Sequence, residues 1–373
     1  MKALVLGGNG FIGSHLVDKL LIEGHDVRVF DRREDLYRDP ISSVEYVYAD
    51  FGNRALLAEA LGGRDTVFHL ICTTVPKTSN DDPVFDVISN VVETINLLEN
   101  CVERGIRKVV FLSSGGTVYG APDSLPVTED HPTNPECSYG ITKLTIEKYL
   151  ALFHLLYGLH YVVVRPSNPY GPRQNPRGIQ GAISVFLGRI AEDKPIEIWG
   201  DGEVVRDYVF IDDLVDGIYR AATQTTISRI LNLGSGEGRS LNMIVDVMRR
   251  TIRKDVRVVY TTRRPFDVPK IYLDSRRASE ELAWRPATPF EVGIQKSWEF
   301  IRGIQRAGMP GDGAHSKHEV DSLHGVQLGH NQLGRPVDGL ADQDVQPRHE
   351  HDGGYERVDA HQIQLLEDRP QQP

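Results

Sequence analysis

Apolar residues come first in short unbroken runs. Positions 3–6, 27–30, 44–48 and 66–71, with KVVFLSS at 108–114 and YVVVRP at 161–166, read as strands. Between them lie segments such as FIGSHLVDKLLIEG and NVVETINLLENCVERG, whose apolar positions recur with helical period. Strands without polar alternation are covered on both faces. Helices between them supply that cover, so the pattern predicts an α/β fold, a Rossmann-type doubly wound parallel sheet. After Pro166 the rhythm loosens: NPYGPRQNPRG is loop, and short strands and helices then alternate to Gly303. This predicts a domain over 1–166, a smaller C-terminal α/β lobe over 167–303, and a tail over 304–373 without apolar periodicity. His, Gln, Asp and Gly dominate the tail, which is expected to be disordered. With so little apolar content, its scattered histidines read as part of a disordered tail, so no metal site is expected.

Charge refines this picture. The chain carries a net −10, and the twelve acidic against six basic residues from Arg306 onward account for six of those charges. The body is therefore only mildly acidic, which argues against nucleic acid or an anionic membrane as a partner. No apolar stretch has the length of a membrane span, and MKALVLGG does not read as a signal peptide. Cys72, Cys101 and Cys137 form no close pair, so the expectation is a reduced, cytoplasmic chain.

The chemistry begins at LVLGGNGFIGSHL, where Gly7, Gly10 and Gly13 follow the first strand and open a helix. Gly7 permits a tight turn, Gly10 a close backbone approach to a pyrophosphate, and Gly13 close packing of helix on strand. The helix start offers N–H groups and a partial positive charge. Asp31 ends the second strand at the distance expected of an acid that binds the adenosine ribose. Its charge repels a 2′-phosphate and favours NAD, although Arg32 and Arg33 beside it could hold such a phosphate. Asp50 and Phe51 follow the third strand, where adenine would lie; Asp50 reads equally well as a turn or cap residue.

SYGITKLTIEKYL places Tyr139 and Lys143 four apart, on one face of a helix. An ammonium beside a phenol favours the phenolate and is expected to lower its pKa, giving a general base toward a sugar or alcohol hydroxyl. Upstream, FLSSGGTVYG ends a buried strand in a cluster of hydroxyls; Ser113 and Ser114 could equally satisfy local backbone groups.

Together GGNGFIG, VFHLIC, NVVETINLLE, SSGGTVYG, YGITK, RPSNPYGPRQ, GDGEVVRDYVFIDDLVDGI and LDSRRASEELAWRP, in this order, resemble the extended short-chain dehydrogenase/reductase family. Within it the likeness is to the NAD-dependent nucleotide-sugar epimerases and dehydratases, and it covers roughly 1–302. The resemblance implies cofactor contacts from Phe11, Ile12, Leu70, Asn90 and Pro166 besides the residues above. It implies catalysis by Tyr139 and Lys143 with a serine or threonine that bonds the reacting sugar hydroxyl. The family's usual place for that hydroxyl is Gly115 here. Ser114 is the nearest replacement and Thr117, otherwise a substrate contact, is the runner-up. Dehydratases carry an acidic pair where this chain has Gly116 and Thr117, so elimination is disfavoured.

The resemblance also implies that Asn168 meets the substrate phosphates, that Arg206 and Arg264 grip the pyrophosphate, that Asp267 binds the uridine ribose, and that Ile271 borders the sugar C2 substituent. Arginine suits a diphosphate because its planar fork binds phosphate bidentately. The implied activity is 4-epimerisation of a UDP-hexose, such as UDP-glucose to UDP-galactose, through a 4-keto sugar. An NAD(P)H-dependent 4-keto-sugar reductase, a 4,6-dehydratase-like enzyme and a non-catalytic NAD-sensing protein are the alternatives. The family further implies a homodimer through helices near 90–101 and 139–152.

Overall fold

The structure, a computed structural model, describes residues 1–262 and 268–307. Arg264, Asp267 and most of the expected tail lie outside the described residues. The strands are β1 (Lys2–Leu6), β2 (Asp26–Asp31), β3 (Glu45–Tyr48), β4 (Thr66–His69), β5 (Lys108–Leu112), β6 (His160–Pro166), β7 (Asn168–Tyr170), β8 (Ile196–Trp199), β9 (Val205–Phe210), β10 (Ile230–Leu233), β11 (Gly238–Ser240), β12 (Val258–Thr261) and β13 (Lys270–Ile271). The helices are α1 (Phe11–Ile22), α2 (Arg54–Leu61), α3 (Pro83–Asp86), α4 (Glu93–Glu103), α5 (Ser138–Tyr157), α6 (Ala182–Ala191), α7 (Ile211–Thr223), α8 (Leu241–Ile252), α9 (Arg276–Leu282) and α10 (Phe290–Arg306). A π-helical turn, Val87–Val92, joins α3 to α4.

Seven parallel strands form the main sheet in the order β10-β6-β5-β4-β1-β2-β3. All four residues of β4 are buried, as the unbroken apolar run requires. The chain leaves β1 for β2 on one side and later reaches β4 on the other. That reversal opens a crevice at the carboxyl ends of β1 and β4, the place where open α/β sheets take ligands.

The boundary expected at residue 166 does not divide the sheets. β10, from the second half of the chain, pairs with β6 (Leu231 beside Val164) and becomes the edge strand on that side. α7 packs on α1, and one apolar cluster runs from Ala3 and Leu16 through Ile211 to Trp284 and Trp298. The shared core is why the halves do not separate at Pro166. The remaining small sheets, β11-β9-β13 with β7 on β9, and β12 beside β8, build the lobe over the crevice.

Beneath the crevice lies a buried ion pair. Arg165 of β6 donates two hydrogen bonds to Glu147 of α5, at 3.0 and 2.5 Å, and both side chains are 2% exposed. Ser113 adds a third at 2.5 Å, and the Arg165 guanidinium lies 4.8 Å from the Tyr119 ring centroid. Removing one partner strands the other charge in the interior. Glu147→Ala is therefore expected to cost about 3–5 kcal/mol in denaturant unfolding. Glu147→Leu combined with Arg165→Met should recover most of that loss, because no charge is left unpaired.

Candidate active site

The dinucleotide end follows the glycine spacing. Gly7 has φ +82°, open to glycine at little cost, and its N–H bonds the Phe30 carbonyl at 2.8 Å. A Cβ on Gly13 would stand 2.0 Å from the Gly7 oxygen, so only glycine lets α1 start this close to β1. No side chain caps α1 and no acid stands in its first turn, which leaves that end suited to phosphate. Phe11 and Ile12 are half-buried and pack on the core behind it. Asp31 emerges beside this loop and accepts N–H bonds from Asn9 (3.0 Å) and Arg33 (3.2 Å). Burial pushes its pKa up, against those bonds. A glycine cradle over a helix start, with a carboxylate fixed at its rim, fits NAD.

Other expected cofactor residues divide. Leu70 continues β4 beside Gly7, its N–H bonding the Leu6 carbonyl at 3.1 Å. Asp50 is exposed and accepts the Gly52 N–H at 2.9 Å, the turn role. Phe51 is buried with its ring centroid 5.3 Å from that of His69, so its side chain belongs to the core. Asn90 is also buried. Its oxygen accepts the Thr73 N–H at 3.0 Å and its nitrogen donates to Thr73 and Asp86. The amide thus holds the loop after β4 in place, and any effect on cofactor passes through that loop.

At the chemical end, α5 presents Tyr139, Lys143 and Glu147 at successive four-residue steps toward the sheet. Lys143 is buried, donates to the Leu112 carbonyl at 2.9 Å, and lies 5.7 Å from the Tyr139 ring centroid. Ser113 is turned to Glu147, whereas the Ser114 hydroxyl lies on the side of the Tyr139 phenol and favours its ionised form. The Thr117 hydroxyl is buried without a hydrogen-bond partner among the described residues. Pro166 ends β6 against this turn, its carbonyl accepting the Gly115 N–H at 2.9 Å. A Cβ on Gly115 would come 2.5 Å from Leu273 Cδ1 and 3.0 Å from the Pro166 oxygen, so the close approach of Leu273 explains the glycine.

One electrostatic expectation is reversed. Within the protein the Tyr139 phenol is pushed well above its usual pKa, chiefly by burial, and further by Cys72, Cys137 and Asp86. The Ser114 hydroxyl works in the other direction. Tyr139 as a residue is half-buried. Lys143, committed to the Leu112 carbonyl, does not bring the phenol toward neutrality by itself. His69, beneath Lys143, is pushed down to about 3 by burial and the nearby ammonium, and so stays neutral.

Sequence reading also missed the anchoring of α5. Cys137 before it provides no side-chain cap. Instead Ser79 accepts the Tyr139 N–H at 3.0 Å and Asn80 accepts the Ser138 N–H at 2.9 Å. Nothing local in the sequence announces a cap supplied from nearly sixty residues away. Glu147 was more legible, lying one helical turn beyond Lys143 on the same face.

In the lobe, Asn168 donates to the Asp207 carbonyl at 3.0 Å, which fixes β7 against β9. Arg206 sits on β9 and donates to the Val268 carbonyl at 2.6 Å. Ile271, beside it in register, is buried with Val118, Tyr119, Val127 and Leu273. All three cysteines are free, and no helix among the described residues is long and apolar enough to cross a membrane.

Known proteins share this arrangement. Residues 3–234 match the model of the NAD dependent epimerase/dehydratase family. The UDP-glucose 4-epimerase of Mycolicibacterium smegmatis is 38% identical over 311 residues, 81% of this chain and 99% of that protein. The structure of UDP-glucose 4-epimerase with UDP-glucose from Thermotoga maritima is similar at 34% identity and TM-score 0.76, covering 82% of this chain and all of that one. That of the Thermus thermophilus enzyme with NAD is similar at 32% identity and the same TM-score, covering 81% and 99%. A UDP-N-acetylglucosamine 4-epimerase from Methanobrevibacter ruminantium M1 is 27% identical at TM-score 0.76, covering 81% and 98%. The chain belongs to the NAD dependent epimerase/dehydratase family, and it is an NAD-dependent epimerase by class.

Proposed function

We propose that this protein interconverts UDP-glucose and UDP-galactose by 4-epimerisation. The observation that carries the reading is the convergence of the Tyr139 phenol, the Ser114 hydroxyl and the Lys143 ammonium at the mouth of the dinucleotide crevice. Gly116 and Thr117 stand where elimination would need carboxylates, so the site offers proton transfer at one sugar hydroxyl and no acid–base pair for loss of water. NAD, held by Gly7, Gly10, Gly13 and Asp31, supplies the hydride acceptor and donor at sugar C4. Tyr139 takes the C4 hydroxyl proton and returns it, Ser114 holds the hydroxyl and phenol together, and Lys143 fixes the cofactor side. Asn168, Thr117, Arg206, Arg264 and Asp267 are proposed to hold the nucleotide diphosphate and its sugar. The relatives with 38% and 34% identity support UDP-glucose over the N-acetylated sugar named for a 27% relative. Free thiols support a reducing, cytoplasmic setting.

A homodimer fits the surface. Val84 and Ile88 on one side, and Ile141, Leu155, Leu156 and Tyr157 of α5 on the other, are more than half exposed. α3 and the π-helical turn pack on α5, and a second copy of these elements would cover their apolar outer faces.

Purified protein should interconvert the two UDP-hexoses without added reductant, read by coupled assay or NMR. Tyr139→Phe is expected to lower kcat by about 10²–10⁴-fold while retaining NAD; full activity would sink the assignment. Ser114→Ala should cost more in kcat than Thr117→Ala, since the Ser114 hydroxyl favours the ionised phenol. Leu155→Glu should convert dimer to monomer in light scattering, and an unchanged mass would remove this face as the interface.

A further inference from the structure

We infer that Asp86 is a positioning residue for Tyr139, one buried carboxylate that holds the start of the catalytic helix and the loop after β4 in fixed relation. Asp86 is 0% exposed. Its Oδ2 accepts the Ser138 hydroxyl at 2.6 Å, and Ser138 immediately precedes Tyr139. Its Oδ1 accepts the Thr74 hydroxyl at 2.5 Å and the Asn90 amide at 2.9 Å. These partners are hydroxyls and an amide, not a cation. An enclosed carboxylate held only by neutral donors is costly unless every lone pair is used, and here it links three separate segments. A neutral side chain with two acceptor sites could have made a cheaper tie.

The charge has a second consequence. The titratable groups facing the phenol are Cys137 from the turn before α5, Lys143 one turn along it, Cys72 from the loop after β4 and Asp86 from the end of α3; the Ser114 hydroxyl faces it from the end of β5. Asp86 raises the pKa of both Tyr139 and Cys137. It thus helps keep the phenol protonated until positive charge enters the cleft, and it fixes where that phenol points. A misplaced reacting group commonly costs far more than the lost hydrogen bond.

The test rests on the proposed epimerase reading for its kinetic arm only. Full-length Asp86→Asn and Asp86→Glu proteins are compared with the unaltered chain in three readouts. These are the pH dependence of kcat and KM with UDP-glucose, the ultraviolet titration of the phenol against each protein's Tyr139→Phe counterpart, and the melting temperature. Asp86→Asn is expected to lower kcat by about ten- to a hundred-fold with KM little changed. Removing the anion should move the Tyr139 titration, and the acid limb of kcat, to lower pH. Asp86→Glu keeps the charge but not the reach, so it should lose kcat with the titration in place. An unmoved Tyr139 titration in Asp86→Asn, or unaltered kcat in Asp86→Glu, overturns the proposal. If Asp86→Asn does not fold, Asp86→Glu decides. If the unaltered chain fails to turn over UDP-glucose, the substrate reading falls while the phenol titration still judges Asp86.

Discussion

The buried Glu147–Arg165 pair is the constraint on which the site depends. Two charges at 2.5 Å in the interior tolerate little movement, because any displacement leaves an uncompensated ion. The pair therefore locks the rotation of α5 against β6. Since Tyr139, Lys143 and Glu147 share one face of that helix, locking one places all three. The same carboxylate takes the Ser113 hydroxyl, which orients the end of β5. Adjacent residues of an extended chain point opposite ways, so with Ser113 turned inward, Ser114 turns to the phenol.

A second constraint is the lack of a local cap on α5. Its first N–H groups are satisfied by Ser79 and Asn80, and the Ser138 hydroxyl by Asp86, all from the segment before the π-helical turn. The catalytic helix is thus clamped at its start by one crossover and along its length by the sheet. Asn90 ties the same segment back to the loop beside Gly7. Cofactor crevice and phenol are in this way parts of one hydrogen-bonded frame, which is the usual route to fixed geometry at a site of proton transfer.

The lobe contributes through contact at a distance in sequence. Leu273 presses on Gly115, and Val127 pairs with Leu273 outside the named strands. Asp207, fully enclosed, gathers the Ser235, Gly236 and Leu273 N–H groups and thereby sets that approach. The glycine that departs from the family's hydroxyl position is explained by this packing. A side chain there would compete with Leu273 for space.

By itself the sequence determined the parallel sheet, the glycine turn over α1, Asp31 at its rim and the Tyr139–Lys143 face, because each rests on local periodicity or spacing. It did not reveal that β10 returns to join the sheet beside β6, since a four-residue apolar run carries no address. Nor did it show that the Phe51 and Ile271 side chains are buried in apolar clusters. It also expected Lys143 to acidify Tyr139, whereas burial, and after it the charges of Cys72, Cys137 and Asp86, raises the phenol instead. Burial and long-range hydrogen bonds depend on residues far apart in sequence, so only the tertiary structure decided that Ser113 turns to Glu147 and in which direction the phenol pKa moves.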